Sequence, residues 1–163
     1  MKGGKDMIAY SYKLALDKER LPVLVKETAF YKVDRRYRFD NPCRIDDLAR
    51  DIGLQDMAEE YVYCVCLDAR MRVTGLFEVS HGTVTNSVFS PREIFQKALM
   101  LGAVSIVMIH NHPSGDATPS SEDMAATKAV MEAGKILGIQ LTDHVIVADR
   151  TYYSMKEQGV LPE

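Results

Sequence analysis

The chain has 163 residues, 47% of them hydrophobic and 26% charged, with a formal net charge of −3. That length suits one domain around one core, and that charge gives no overall attraction to nucleic acid or an anionic membrane. No apolar stretch is long enough for a signal peptide or a membrane span, and three cysteines form no disulfide framework, so the chain reads as cytoplasmic.

Residues 1–40 alternate loosely. Ile8 to Leu16 and Leu21 to Val25 flank the charged turn Asp17-Lys18-Glu19-Arg20, which predicts a strand pair or an extended N-terminal β-arm. Phe30 to Phe39 mixes aromatics with Lys32, Arg35, Arg36 and Arg38. That mixture reads as a solvated strand face, or as a surface that grips phosphates and stacks on bases. Asn41-Pro42 stops the strand. Arg44 to Ile52 then has helical spacing with Gly53 as its stop, so residues 41–57 read as a short helix and connector.

Tyr61 to Leu67 and Met71 to Ser80 are β-rich runs around Asp68-Ala69-Arg70, which predicts a hairpin. Gly82 to Phe89 continues as a third strand or a loop. Ser90-Pro91-Arg92-Glu93 reads as a capping box opening a helix that Gly102 ends. Ala103 to Ile109 is a continuous apolar run, expected of a central strand covered on both faces. A second helix spans Ser121 to Leu137, with Gly138 as its stop. Ile139 to Ala148 reads as a strand, and Tyr152 to Gln158 as a terminal strand or short helix. This order argues for an α/β (α+β) fold, a mixed β-sheet sandwiched by helices.

The informative stretch lies between the last two long elements. His110 and His112 are one residue apart at the end of the apolar run, so on a strand both imidazoles point the same way. The Pro-, Ser- and Gly-rich turn after them can fold back to bring Asp123 to the same point. Two His and one carboxylate leave a coordination position open, as in a catalytic zinc site. The plainer reading of Ser120-Ser121-Glu122-Asp123 is a helix N-terminus. The two readings differ in one respect: a capping carboxylate turns back to the backbone, a ligand turns outward. Ser120 can cap and still present its hydroxyl to a reaction intermediate. Cys64 and Cys66 read as small buried residues, with a Cys-Val-Cys metal site as the sharper alternative.

His110, His112, Ser120 and Asp123 form the pattern His-x-His, seven residues, Ser-x-x-Asp. It resembles the core of the JAMM (MPN+) metalloprotease motif. The longer string from His110 to Asp123, with Ser90 to Phe95 before it and Leu141-Thr142-Asp143-His144 after it, resembles the RadC branch over about residues 57–161. The resemblance implies a cytidine-deaminase-like α/β/α architecture for residues 58–163, binding Zn2+. It implies His110, His112 and Asp123 as metal ligands, water as the fourth, and Ser120 as the residue that steadies a tetrahedral intermediate. It also implies a glutamate just before the first core strand, where Glu60 aligns best, Glu59 is its neighbour and Glu78 a weaker candidate. His144 reads as a supporting residue on the face opposite Leu141 and Val145, and His81 as a surface residue.

The function so implied is a zinc-dependent hydrolase cleaving a peptide or isopeptide amide by metal-activated water. The alternatives are a DNA-repair-associated or nucleic-acid-binding accessory protein, and a metal-bound interaction module without turnover. RadC-like proteins carry an N-terminal helix-hairpin-helix module, and residues 1–50 show no Gly-containing helical hairpin, so DNA has little support as a partner. His110-Asn111-His112 spells the HNH nuclease motif, but the following helix offers Lys128 and Glu132 in place of further His or Asn ligands. A deaminase needs His-x-Glu and Pro-Cys-x-x-Cys, and both are missing.

Overall fold

The structure is a computed structural model, and it describes residues 7–33, 38–82 and 89–161. Its centre is the strand Ser105–Asn111, in which all seven residues are buried. From Ile106 to Ile109 every position is apolar, so both faces must be covered. Val107 and Ile109 pack to one side with the first helix, Pro42–Asp51 (α1). Ile106 and Met108 pack to the other with the helices Pro91–Met100 (α2) and Ser121–Leu137 (α3). Burying each such large side chain is worth about 1.5–3 kcal/mol, so this strand is held firmly.

Around it runs a seven-stranded mixed sheet. In chain order the strands are β1 (Met7–Leu16), β2 (Pro22–Val33), β3 (Glu60–Leu67), β4 (Val73–Gly82), β5 (Ser105–Asn111), β6 (Gln140–Val147) and β7 (Tyr152–Ser154). The spatial order is β2-β1-β4-β3-β5-β6-β7. β3 lies antiparallel to β5, with Val62 opposite His110, and β6 lies parallel to β5 on its other side. The fold class expected from the sequence is the one observed. Among the described residues no helix is long and apolar enough to cross a membrane.

Several local expectations need correcting. The N-terminal strand pair forms, but its second strand runs unbroken from Pro22 to Val33, and β1 joins the main sheet beside β4 at Ser11 and Leu76. The ring of Tyr12 packs so closely on Gly75 that a Cβ there would sit 2.7 Å from it. The basic-aromatic run is no strand of its own. Its first residues end β2, residues 34–37 with Arg35 and Arg36 lie outside the described residues, and Phe39 is buried against α1. Residues 83–88 of the expected third strand or loop also lie outside the described residues. α1 starts at Pro42 rather than Arg44, because the Asn41 side chain accepts the Cys43 N–H and caps it. Ser90 stands at the N-cap of α2 but its side chain makes no capping bond, so that capping box does not form.

His144 is the most informative correction. Regular alternation sets it opposite both Leu141 and Val145. A bulge at Thr142 interrupts the register: Ile106 pairs with Leu141, but Val107 pairs with Asp143. The extra residue turns Leu141 onto the α2/α3 face, the side on which His144 also meets Thr127 of α3, while Val145 faces α1.

The last turn of α3 is packed tightly against the chain that leaves it and against α2. A Cβ on Gly134 would lie 2.3 Å from the Ile139 carbonyl oxygen and 3.2 Å from the Phe95 ring. Alanine is favoured over glycine in a helix by about 1 kcal/mol, yet Gly134→Ala should lower stability by about 1–3 kcal/mol, because backbone cannot move aside. A urea midpoint that stays put or rises would contradict this packing.

Candidate metal centre

β5 carries His110 next to its last residue, with His112 directly after the strand, and alternation turns His110 towards the N-terminus of α3. Glu60 opens β3 two residues before Val62, the partner of His110, so it reaches the same face. The loop after His112 then delivers Asp123 in the first turn of α3. His110 Nε2 lies 3.0 Å from His112 Nε2 and 3.4 Å from Asp123 Oδ1, and His112 Nε2 lies 3.4 Å from Asp123 Oδ2. Glu60 Oε1 stands farther off, 4.0 Å from His110 Nε2. Ligand atoms of these four residues all fall within 4.8 Å of one another.

These distances fit a metal. Ligands about 2.0–2.1 Å from a tetrahedral ion are separated by about 3.3 Å along each edge. His112 Nδ1 lies 2.8 Å from the Asp116 carbonyl oxygen. A carbonyl only accepts, so Nδ1 carries a hydrogen and Nε2 of the neutral ring is a lone pair. That lone pair is aimed at another imidazole nitrogen and a carboxylate, an arrangement that needs a cation or a proton at its centre.

The two readings of Asp123 are both met, because a carboxylate has two oxygens. Oδ2 accepts the Ser120 N–H at 2.8 Å while Ser120 Oγ accepts the Asp123 N–H at 3.1 Å, a complete capping box. Both oxygens still face the imidazoles. Ser120 itself is exposed at the rim, and its hydroxyl also helps to hold Glu122 below the usual carboxylate range, after the backbone N–H of Glu122 and the Ser121 side chain.

The electrostatics follow from this crowding. Burial pushes the Asp123 carboxyl up, but the imidazoles of His110 and His112 beside it outweigh that and hold the group far below its ordinary value. Asp123 in turn raises His112, against the opposing effect of burial. His144, fully buried and beside His110, is pushed well below the ordinary histidine value by that burial first and by His110 second.

Position separates the three glutamates. Glu60 is 4% exposed and reaches the cluster. Glu59 is exposed, and its backbone carbonyl accepts from Asn111. Glu78 is paired with His81, an exposed ring that stacks on Tyr61. Cys64 and Cys66 are buried and free, and neither belongs to a metal-ligating group among the described residues.

Sequence reasoning missed Asn111. Lying between the two histidines, it must point to the other face, where it is 1% exposed. Its amide accepts the Tyr61 N–H at 2.7 Å and donates to the Glu59 and Met57 carbonyls at 2.9 and 3.3 Å. It clamps the backbone on both sides of Glu60. The one available signal was a buried amide in an apolar strand, which must find partners.

Beside the cluster lies a cleft of about 750 Å³. Glu60, His112, Ser120 and Asp123 line its polar end, and Phe89, Pro91, Pro113, Ala125, Ala126 and Ala129 line its apolar walls.

With this geometry in view, comparison with known families is decisive. Residues 40–160 match the model of the RadC-like JAB domain. The chain belongs to that family. The RadC-like JAB domain here is similar to a UPF0758 protein of Pelobacter propionicus, at 40% identity over 124 residues, 76% of this chain and 54% of that protein. It is also similar to UPF0758 proteins of Alkaliphilus metalliredigens (37% over 125 residues, 77% and 53%) and Clostridium botulinum (37% over 141 residues, 86% and 61%). The chain thus spans 53% to 61% of the length of these curated relatives.

A pH-dependent response to metal is expected of this RadC-like site. His112 is raised above 6.5, so its protonated pairing with Asp123 stabilises the metal-free fold below 6.5 and fades as pH rises through the raised value. Asp123 is depressed below 3.8, so its contribution is present above 3.8 and is lost only as pH falls through the lower folded value. A proton on His112 competes with metal. Added Zn2+ should therefore raise the melting temperature more at about pH 8 than at about pH 5.5. At about 100 times the dissociation constant the gain is about 2.7 kcal/mol. Calorimetry showing an equal gain at both pH values would locate the metal elsewhere.

Proposed function

We propose that this domain is a zinc-dependent amide hydrolase acting on a peptide or isopeptide bond. The observation that carries the reading is the convergence of His110 Nε2, His112 Nε2 and Asp123 at tetrahedral spacing, with Glu60 set back towards the cleft. Two imidazoles and one carboxylate suit Zn2+, and three protein ligands leave a position for water or substrate. When bound, the ion supplies Lewis acidity, lowering the pKa of a water and polarising the scissile carbonyl.

The chain's own groups do the rest. Glu60 takes a proton from the attacking water and hands it to the leaving amine, so that one carboxylate serves as base and then as acid. Its place at the start of β3, with Asn111 bonded to the backbone on either side, fixes it for that exchange. Ser120 sits at the cleft end of α3, and its hydroxyl, swung from Glu122, donates to the oxygen of the carbonyl under attack. The positive end of the α3 dipole favours the same developing charge. The apolar walls beside the metal position hold the residues flanking the bond and limit competing water.

Three variants test the roles. Glu60→Gln should retain Zn2+ while turnover of a fluorogenic peptide set falls about 10²–10⁴-fold; turnover at the parent rate would remove Glu60 from the chemistry. Ser120→Ala should lower kcat about 10²–10³-fold and, through the lost cap, stability by about 1 kcal/mol. Stability reduced with kcat intact would leave Ser120 a capping residue alone. The His110→Ala, His112→Ala double variant should lose zinc by elemental analysis, and retained metal would undo the ligand assignment.

A further inference from the structure

Two buried polar side chains take no part in that chemistry. Thr127 and His144 are 1% and 0% exposed, and both lie behind His110. Thr127 Oγ1 is 2.6 Å from the Asp123 carbonyl oxygen and 2.6 Å from His144 Nδ1. His144 Nε2 is 2.7 Å from His110 Nδ1. The three contacts form one unbroken line from the backbone of Asp123 to the ring of His110.

Hydrogen counting fixes the direction of that line. Thr127 has one hydroxyl hydrogen, and the Asp123 carbonyl has none to offer, so the hydrogen lies between those two oxygens. The contact between Thr127 and His144 then needs a hydrogen on His144 Nδ1. In the neutral ring this leaves His144 Nε2 as an acceptor. His110 Nδ1 must donate to it, and His110 Nε2 is left as a lone pair facing His112 and Asp123. The reverse order would put a hydrogen on His110 Nε2, where it blocks coordination. Metal-ligating histidines usually rest their other nitrogen on a carbonyl or carboxylate, which accepts unconditionally. A histidine accepts only in one tautomer, so this one needs something to set it.

We propose that Thr127 and His144 are positioning residues that hold His110 in the tautomer able to ligate metal, with the Asp123 carbonyl as the fixed end of the relay. The proposal rests on the reading of His110 Nε2 as a ligand. It makes Asp123 act at both ends of the site, through its carboxylate at the metal position and through its backbone on the far side of His110. No solvent reaches the line to reset it, since its members are buried.

The test uses the metal-free full chain and Zn2+. Long-range proton–nitrogen correlation of the imidazole rings should show hydrogen on Nδ1 of both His110 and His144. Thr127→Val keeps the shape and removes the hydroxyl. It should move part of the His110 hydrogen to Nε2 and weaken Zn2+ about 10- to 100-fold in a chelator competition, while Thr127→Ser restores both. His144→Gln offers His110 a side-chain carbonyl that accepts without a tautomer choice. On that background Thr127→Val should no longer change Zn2+ affinity, a coupling that a merely structural threonine does not produce. Hydrogen on His144 Nε2 in the parent protein overturns the proposal. So does an equal Thr127→Val penalty with and without His144→Gln. A parent protein that binds no Zn2+ ends the hydrolase reading instead, and the nitrogen pattern of the metal-free rings still decides the relay.

Discussion

The carboxylate of Asp123, held among two imidazoles at the start of α3, is the constraint on which the site depends. Its Oδ2 closes the capping box with Ser120, its Oδ1 faces His110, and its backbone carbonyl anchors Thr127. A buried carboxylate is costly unless its oxygens are matched. Here the helix N-terminus and the histidines match them together, so the residue that starts the helix is the residue that completes the cluster. Helix register and site geometry are therefore one variable.

The sheet supplies the opposing half. β5 is buried at every residue and paired on both sides, so its last residues project from a rigid base. Its alternation sends His110 to one face and Asn111 to the other. The same three residues thereby present imidazoles to the cation position and clamp the segment that carries Glu60. Placing ligands at the carboxyl end of a central strand and at the start of the next helix is where α/β folds commonly bind. Pairing β3 beside β5 adds a carboxylate from a third element.

The charge balance is local. Acidic and imidazole groups outweigh each other's burial costs within a few ångströms, and the apolar cleft wall lies directly against them. A desolvated polar cluster beside an apolar groove is the arrangement in which shifted titratable groups and ligand pockets commonly meet.

Much was legible from residue order alone. The strand period of β5, the spacing from His112 to Asp123 and the Ser120 cap all depend on neighbours close in sequence, and local periodicity reports such neighbours well. Residue types at those spacings therefore pointed to the fold class and the candidate ligands, while Glu60 came from the family resemblance of the segment that holds it. Other features needed the folded chain. The unused cap at Ser90, the bulge that turns Leu141 onto the side of His144, the clamp by Asn111 and the line from Thr127 to His110 each join segments far apart in sequence. Alternation specifies a face only while the register is regular, and a buried hydrogen-bond donor finds its acceptor through packing. Tertiary structure alone decided those pairings, because they depend on which distant backbone lies alongside.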